Sequence, residues 1–232
     1  MPDHFYPVAL DLPVRSLTGR SDFFISEENA AAVALIDSFP NGFNGAVIFG
    51  EKGCGKTHLA HLFAAAAFQK TGREAVVMPA ADFNPSSLAD FLEKSACIVL
   101  ENVSRPVDER GLFHLLNAVK SLNGFVLLTA ERPPAAWGLT LPDLITRLKA
   151  LPCIEIQPPG ETLMQAVLIK QFADRQLKVA PEVIAYLLKN MERSFRVASF
   201  ITRRADELSL AERRAVTIPL VRRVLGELRD AV

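Results

Sequence analysis

A run of eight residues from Gly50 to Thr57 has the residue types and the spacing of a phosphate-binding loop. It reads Gly-Glu-Lys-Gly-Cys-Gly-Lys-Thr and fits the pattern G-x-x-x-x-G-K-S/T. Glycines let backbone N–H groups turn toward phosphate oxygens, and the positive end of the next helix adds to the field. We expect Lys56 to reach the β- and γ-phosphates of a nucleotide and the Thr57 hydroxyl to hold Mg²⁺. The residues expected to contact the nucleotide here are Gly50, Gly53, Cys54, Gly55, Lys56, Thr57 and His58.

Short apolar runs alternate with longer helical patterns on both sides of this loop. Each short run predicts a strand that is buried on both faces. Strand–helix alternation favours a mostly parallel sheet with helices on both faces, which is a three-layer α/β fold. The predicted strands are Ala46–Phe49, Ala75–Met78, Ile98–Leu100, Phe125–Leu128 and Ile154–Ile156, and the predicted helices between them are 57–70, 86–94, 108–122 and 141–148.

The pattern changes at Pro158–Pro159–Gly160, after which no further strand is predicted. The remaining patterns are helical at 161–176, 181–191, 194–209 and 217–229. Residues 1–20 hold several prolines and no helical period, so we expect an extended arm there. The predicted domains are therefore the arm at 1–20, a nucleotide-binding α/β domain at 21–158 and an all-helical domain at 159–232.

The composition excludes several classes of protein. Of the 232 residues, 26 are basic and 26 are acidic, and this balance argues against a sequence-specific DNA-binding surface. No apolar run approaches the roughly 18 residues that a membrane span needs. The N-terminus has neither the basic start nor the apolar block of a signal peptide. Three cysteines, at 54, 97 and 153, form no CxxC pair, so we expect reduced thiols in the cytoplasm.

Four segments, in order, resemble AAA+ proteins of the DnaA family. They are AVIFGEKGCGKTHLAH at 46–61, ERGLFHLLNAVKSLNGFVLLTAERPP at 109–134, LPDLITRLKALPCIEIQPP at 141–159 and ERSFRVASFITR at 192–203. The likeness covers residues from about 25 to 230. It implies a P-loop NTPase (AAA+) fold with a C-terminal all-helical lid domain, and ATP or ADP with Mg²⁺ as the bound cofactors.

The resemblance assigns roles to single residues outside the loop. Arg147 matches the arginine finger, which acts in trans on nucleotide held by a neighbouring subunit. Glu131 takes the place of an acidic sensor 1 residue, although a solvated loop carboxylate is the alternative. Arg196 matches the sensor 2 arginine of the lid. A lone arginine on a helix is usually a solvated surface group, and this is the alternative for Arg147.

The run that ends at Leu100 is followed by Glu101-Asn102, where the family's Walker B motif has Asp followed by a second acid. Glu101 has the carboxylate needed to hold Mg²⁺ through water, whereas Asn102 has no charge and cannot act as a base. We therefore expect weak or no intrinsic ATPase activity, and the chain's standing as an enzyme stays open.

The order of segments is most similar to that of the Hda-like regulators, which are AAA+ modules without the initiator's DNA-binding domain. The resemblance implies a regulator of chromosomal replication initiation that promotes hydrolysis of DnaA-bound ATP together with the sliding clamp. Residues 7–12 match the clamp-binding peptide at Leu10 and Leu12, with Pro7 where a Gln is usual, and a disordered tail is the alternative. A homodimer is compatible with this layout. The competing interpretations are a self-assembling ATPase, helicase-loader-like or initiator-paralogue protein acting on DNA, and a small-molecule P-loop kinase.

Overall fold

The computed structural model describes residues 14–15, 23–40, 43–103 and 108–230. Two compact units account for most of them, one over 27–158 and the other over 159–230, with the division between Pro158 and Pro159. No helix in these described ranges is both long and apolar enough to cross a bilayer. Apart from Val14 and Arg15, the predicted arm at 1–20 lies outside the described residues. The functional assignment of the three predicted domains stays a prediction.

The first unit is built on a five-stranded sheet in which every strand pair is parallel. Two short strands, β1 (Val14–Arg15) and β2 (Phe23–Phe24), come earlier in the chain. The sheet strands are β3 (Gly45–Phe49), β4 (Val76–Pro79), β5 (Cys97–Val103), β6 (Phe125–Ala130) and β7 (Cys153–Glu155). Their spatial order is β4-β5-β6-β3-β7, so β6 lies between β5 and β3.

Helices cover both faces of this sheet. Five α-helices belong to the unit: α1 (Ala30–Ser38), α2 (Lys56–Thr71), α3 (Leu88–Lys94), α4 (Glu109–Ser121) and α5 (Pro142–Lys149). Short 3₁₀ turns occur at Ala80–Asp82, Pro85–Ser87 and Pro134–Ala136. In β6, the side chains of Val126, Leu128 and Ala130 join the apolar cluster of α4 and α5. Phe125 faces the other way and contacts Phe63 of α2, with ring centroids 4.9 Å apart. The predicted three-layer α/β fold is confirmed.

The part of the second unit from residue 159 to residue 230 is built from helices and contains no strand. Its helices are α6 (Glu161–Asp174), α7 (Pro181–Asn190), α8 (Phe195–Glu212) and α9 (Ile218–Asp230). Each helix contributes fully buried side chains to one core, for example Phe172, Leu187, Ile201 and Val224. Pro181 is the first residue of α7, where its missing N–H costs no hydrogen bond. The predicted all-helical C-terminal region is confirmed.

Some boundaries differ from the predicted ones. The strand predicted to end at Leu100 continues to Val103, because an irregularity in the pairing of β5 with β6 carries it past two polar residues. The helix predicted at 86–94 is a 3₁₀ turn followed by α3, which begins only at Leu88. The last strand begins and ends one residue earlier than predicted, at Cys153 and Glu155.

Candidate nucleotide-binding site

Three neighbouring strands end at the same edge of the sheet and bring the candidate site residues together. Because β5, β6 and β3 are parallel and adjacent, their carboxyl ends meet there. Phe49 of β3 pairs with Ala130 of β6, and the Gly50 N–H donates to the Ala130 carbonyl at 3.2 Å. The loop that follows β3 is thus tied to the end of β6. Glu101 and Asn102 lie at the end of β5, on the other side of β6.

The loop from Gly50 to Thr57 has a conformation that needs its glycines. Gly53 and Gly55 have φ angles of 79° and 108°, in the left-handed region that favours glycine. A Cβ added to Gly50 would lie 2.4 Å from the Ile156 carbonyl oxygen, so no larger residue fits there. The N–H groups of Gly53 and Gly55 donate no hydrogen bond to any described residue. These unpaired donors give the loop the form of a cradle for an anion.

Lys56 lies within this cradle. Its side chain is only 6% exposed. Its ammonium donates to the carbonyl oxygens of Gly50 at 2.7 Å and Glu51 at 2.8 Å, and it lies 3.9 Å from Cys54 Sγ. Burial raises the pKa of the Cys54 thiol, although the nearby Lys56 charge opposes this rise. The thiol therefore stays protonated, and the loop keeps a buried positive charge that no carboxylate among the described residues neutralises.

The start of α2 adds to the positive field of the loop. The helix begins at Lys56, has no side-chain cap and has no acidic residue in its first turn. The N–H groups of a first helical turn have no partner within the helix, so this end presents the positive end of the helix dipole to the loop. Thr57 and His58 are the next residues, and both are exposed at this end. The hydroxyl of Thr57 is thus open to a ligand beside the cradle.

Glu101, near the end of β5, has a side-chain oxygen without a hydrogen-bond partner in the described part of the chain. Its Oε1 atom is buried and has no hydrogen-bond partner among the described residues. Cys97 and Val99 pair with Phe125 and Leu127, and Phe125 faces α2. Alternation along β5 therefore places Glu101 on the face of α2. A buried carboxylate oxygen without a donor is costly, and a divalent cation or its bound water would satisfy it.

Thr129 fixes the backbone beside Glu101, a role that sequence reasoning missed. Asn102 has a φ of 57°, and its N–H donates to the Thr129 hydroxyl at 3.0 Å. Thr129 is 1% exposed, whereas the Asn102 side chain points to solvent. Asn tolerates the left-handed conformation better than most residues. The position after Glu101 is thus a backbone bulge held by Thr129, and it carries no second acid.

Comparisons with known proteins identify this arrangement. Residues 161–225 match the family model described as the lid domain of Hda. Domain III of the replication initiation protein DnaA from Thermotoga maritima superposes with a TM-score of 0.77 at 17% identity, over 88% of this chain and 94% of that chain. The chain thus resembles DnaA/Hda-type AAA+ proteins, with the fold of DnaA domain III and a C-terminal segment that matches the Hda lid domain.

Two further solved structures have the same fold. AMPPCP-bound DnaA from Aquifex aeolicus matches with a TM-score of 0.67 at 21% identity, over 90% of this chain and 68% of that chain. The RuvB Holliday junction branch migration motor of Thermotoga maritima matches with a TM-score of 0.67 at 17% identity, over 88% of this chain and 70% of that chain. The predicted AAA+ fold and the likeness to the DnaA family are confirmed.

Glu131, the predicted sensor 1 residue, follows β6 and contacts the loop. Its carboxylate lies 3.5 Å from the Lys52 ammonium, but the two side chains are 54% and 76% exposed. An ion pair as exposed as this contributes about 0–1 kcal/mol. The contact therefore places Glu131 beside the phosphate-binding loop without holding it firmly there, and its role as a sensor stays a prediction.

Arg147 lies near the end of α5 and is half-buried. Its guanidinium carbon is 5.4 Å from the ring centroid of Phe113 on α4, a distance typical of a cation–π contact. No hydrogen bond or ion pair joins it to the described loop residues 50–57. The absence of such a bond to the chain's own loop is compatible with an arginine that acts on another subunit.

Two further predicted features, the sensor 2 arginine and the clamp-binding peptide, stay predictions. Arg196 is the second residue of α8 and is exposed on the helical unit. Its assignment as sensor 2 depends on the matched lid segment alone. The candidate clamp-binding peptide at 7–12, with Leu10 and Leu12, lies outside the described residues.

Proposed function

We propose that this DnaA/Hda-like chain regulates the initiation of chromosomal replication by promoting hydrolysis of ATP bound to DnaA, together with the sliding clamp. The match of residues 161–225 to the Hda lid domain is the observation that carries the proposal. The AAA+ fold that the chain shares with DnaA supports it. A cytoplasmic location is part of the same proposal.

In this proposal the loop holds an adenine nucleotide, ATP or ADP. The unpaired N–H groups of Gly53 and Gly55 and the ammonium of Lys56 fit the oxygens of a polyphosphate. The AMPPCP in the related DnaA structure supports an adenine ligand. Thr57 and the partnerless oxygen of Glu101 fit Mg²⁺ or its water. When bound, Mg²⁺ neutralises charge on the phosphate oxygens.

We also propose that the chain turns over its own nucleotide slowly. Glu101 is the acid at the end of β5, and the next position is the solvent-facing Asn102. An amide cannot accept a proton from an attacking water in the way that a carboxylate does. The nucleotide therefore serves as a structural ligand. Rapid hydrolysis by the chain alone, abolished in Lys56→Ala, would instead support a self-assembling ATPase.

Arg147 provides the catalytic contribution in this proposal. An arginine supplied in trans to a γ-phosphate stabilises the charge that develops in the transition state and contributes about 10³–10⁵ in rate in GTPases. The Arg147 side chain is half-buried and has no carboxylate partner among the described residues. Its charge is thus available to nucleotide on a neighbouring subunit.

The test is hydrolysis of ATP by purified DnaA in the presence of clamp-loaded DNA and this chain. We expect Arg147→Ala to lower the stimulated rate by at least about tenfold, since the precedent for a trans arginine is larger. Lys149→Ala is the matched control, because Lys149 is an exposed cation on the same helix. Equal stimulation by Arg147→Ala and the unmutated chain would disprove the role of Arg147 as an arginine finger.

A separate binding assay tests the arm. If the double variant Leu10→Ala, Leu12→Ala binds the sliding clamp as well as the unmutated chain, residues 7–12 are not the clamp-binding peptide.

A further inference from the structure

One side chain of α4 binds the start of α5, the helix that carries Arg147. The Glu109 carboxylate accepts the N–H of Thr140 at 2.9 and 3.0 Å and the Thr140 hydroxyl at 3.0 Å. It also accepts the N–H of Leu141 at 2.6 Å. Four contacts from one carboxylate to two adjacent residues fix the point at which the chain enters α5.

The start of α5 depends on this carboxylate because it has no cap of its own. Leu141 is the N-cap residue and offers no side-chain acceptor. A carboxylate at a helix N-terminus both pairs with free N–H groups and complements the helix dipole. The start of α4 does not need Glu109 for capping, since Asp108 Oδ1 accepts the Gly111 N–H at 2.9 Å. Glu109 instead contacts the start of the neighbouring helix, through Thr140 and Leu141.

The same face of α4 also contacts the other end of α5. Phe113 follows Glu109 by four residues, one helical turn, so both side chains lie on one face. The Phe113 ring lies under the Arg147 guanidinium at 5.4 Å. Glu109 thus holds the beginning of α5, and Phe113 holds the arginine in its last turn.

A cation–π contact leaves the hydrogen-bond donors of a guanidinium unoccupied, whereas an ion pair with a carboxylate occupies them. The guanidinium carbon lies over the Phe113 ring, which offers no carboxylate oxygen to the N–H donors of Arg147. A carboxylate partner would occupy those donors and neutralise the charge. No carboxylate among the described residues pairs with Arg147. The contact with Phe113 therefore restricts the rotamers of the side chain and keeps its donors for an anion.

We propose that Glu109 and Phe113 are positioning residues that aim Arg147 at a phosphate on a neighbouring subunit. The proposal rests on the proposed function of Arg147. Glu109 sets the position of the helix, and Phe113 sets the direction of the guanidinium. Neither residue contacts the nucleotide.

The main experiment compares Phe113→Leu with Phe113→Tyr in the DnaA–ATP hydrolysis assay with clamp-loaded DNA. We expect Phe113→Leu to lower the maximal stimulated rate about two- to fivefold, which corresponds to a cation–π contact of about 0.5–1 kcal/mol. The half-saturating concentration of this chain should stay unchanged. Phe113→Tyr should retain the full rate because it keeps the ring. Phe68→Leu is the control, since Phe68 is an exposed phenylalanine on α2.

Two substitutions, Glu109→Gln and Glu109→Ala, test whether Glu109 positions α5. Glu109→Gln keeps one acceptor and should lower the maximal rate less than Glu109→Ala, which removes every contact with Thr140 and Leu141. Thermal unfolding of each variant shows whether the chain still folds. A loss of rate in a variant with an unchanged half-saturating concentration indicates positioning.

Two further measurements separate positioning from a structural role. In the Arg147→Ala background, Phe113→Leu should have no additional effect on the rate. In NMR spectra of the isolated chain, the Nε–Hε resonance of Arg147 should show a ring-current shift that persists in Phe113→Tyr and disappears in Phe113→Leu. Both signals depend on the contact between the ring and the guanidinium, so a general loss of stability does not produce them.

The outcomes distinguish this proposal from the function on which it rests. Full stimulation by Arg147→Ala would overturn the proposed function. Arg147→Ala could abolish stimulation while Phe113→Leu and Glu109→Ala leave it unchanged. In that case Arg147 acts as an arginine finger, and the positioning proposal is wrong. An equal loss from Phe113→Leu with and without Arg147 would also overturn positioning, because it would show a structural effect.

Discussion

The hydrogen bond between Thr129 and Asn102 gives a quantitative prediction about the end of β5. Thr129→Val keeps the volume of the side chain and removes the hydroxyl that accepts the Asn102 N–H at 3.0 Å. Thr129 is 1% exposed, so little water can replace the lost acceptor. We expect the free energy of unfolding to fall by about 1 kcal/mol if the N–H finds water, and by up to about 3 kcal/mol if it stays buried.

Urea unfolding followed by Trp137 fluorescence is the assay. Trp137 is the only tryptophan of the chain, and it lies 4% exposed in the core of the α/β unit. Thermal unfolding is a second readout: for a chain of this size, each 1 kcal/mol lost from the free energy of unfolding lowers the thermal midpoint by about 2–4 °C. The matched control is Thr146→Val, since the Thr146 hydroxyl is exposed on α5. A control of this kind should change stability by no more than about 0.5 kcal/mol.

The result also bears on the Mg²⁺ site. Asn102 stays in the left-handed region because its N–H is bound, and it is adjacent to Glu101. Releasing that bond should let the backbone relax and weaken Mg²⁺-dependent nucleotide binding along with stability. Equal unfolding midpoints for Thr129→Val and the unmutated chain would refute the reasoning.

Further predictions concern the helical unit and the thiols. Arg204 donates to both Glu227 oxygens, at 2.6 and 3.3 Å, and holds the pKa of that carboxyl below its ordinary value of 4.5. The stabilisation is complete at neutral pH and is lost as the pH falls from about 4.5 through the lower folded pKa. Between neutral and acidic pH, the thermal unfolding midpoint of Glu227→Gln should therefore change less than that of the unmutated chain. The control is Glu182→Gln, and an equally reduced pH dependence in this control would contradict the prediction. A maleimide near neutral pH should modify the exposed Cys153 well before the buried Cys54, because desolvation raises the pKa of both thiols and exposure therefore decides the order. Mass spectrometry measures the order, and equal rates would disprove the burial of Cys54.

The layered fold and the loop were predictable because their signals are local in the sequence. Eight consecutive residues specify the cradle, and each buried strand appears as a short apolar run. The change of pattern at Pro158–Pro159–Gly160 coincides with the division between the two units. These features require no knowledge of which distant residues meet.

The contacts that complete the site were not predictable, because they join residues far apart in sequence. The Asn102–Thr129 bond spans 27 residues, and the bonds from Glu109 to Thr140 span 31. The extension of β5 to Val103 depends on the first of these, since the apolar run itself ends at Leu100. Local periodicity contains no information about such pairs, which are set by the packing of the sheet and helices.

Binding of ATP with Mg²⁺, measured by calorimetry, tests the central claim most directly. The account predicts one bound nucleotide per chain and a loss of binding in Lys56→Ala, because Lys56 supplies the buried charge of the cradle. Lys52→Ala is the control, since Lys52 is an exposed lysine of the same loop. Trp137 fluorescence shows whether each variant is folded. No heat of binding to the unmutated chain, or equal affinity in a folded Lys56→Ala variant, would contradict the account.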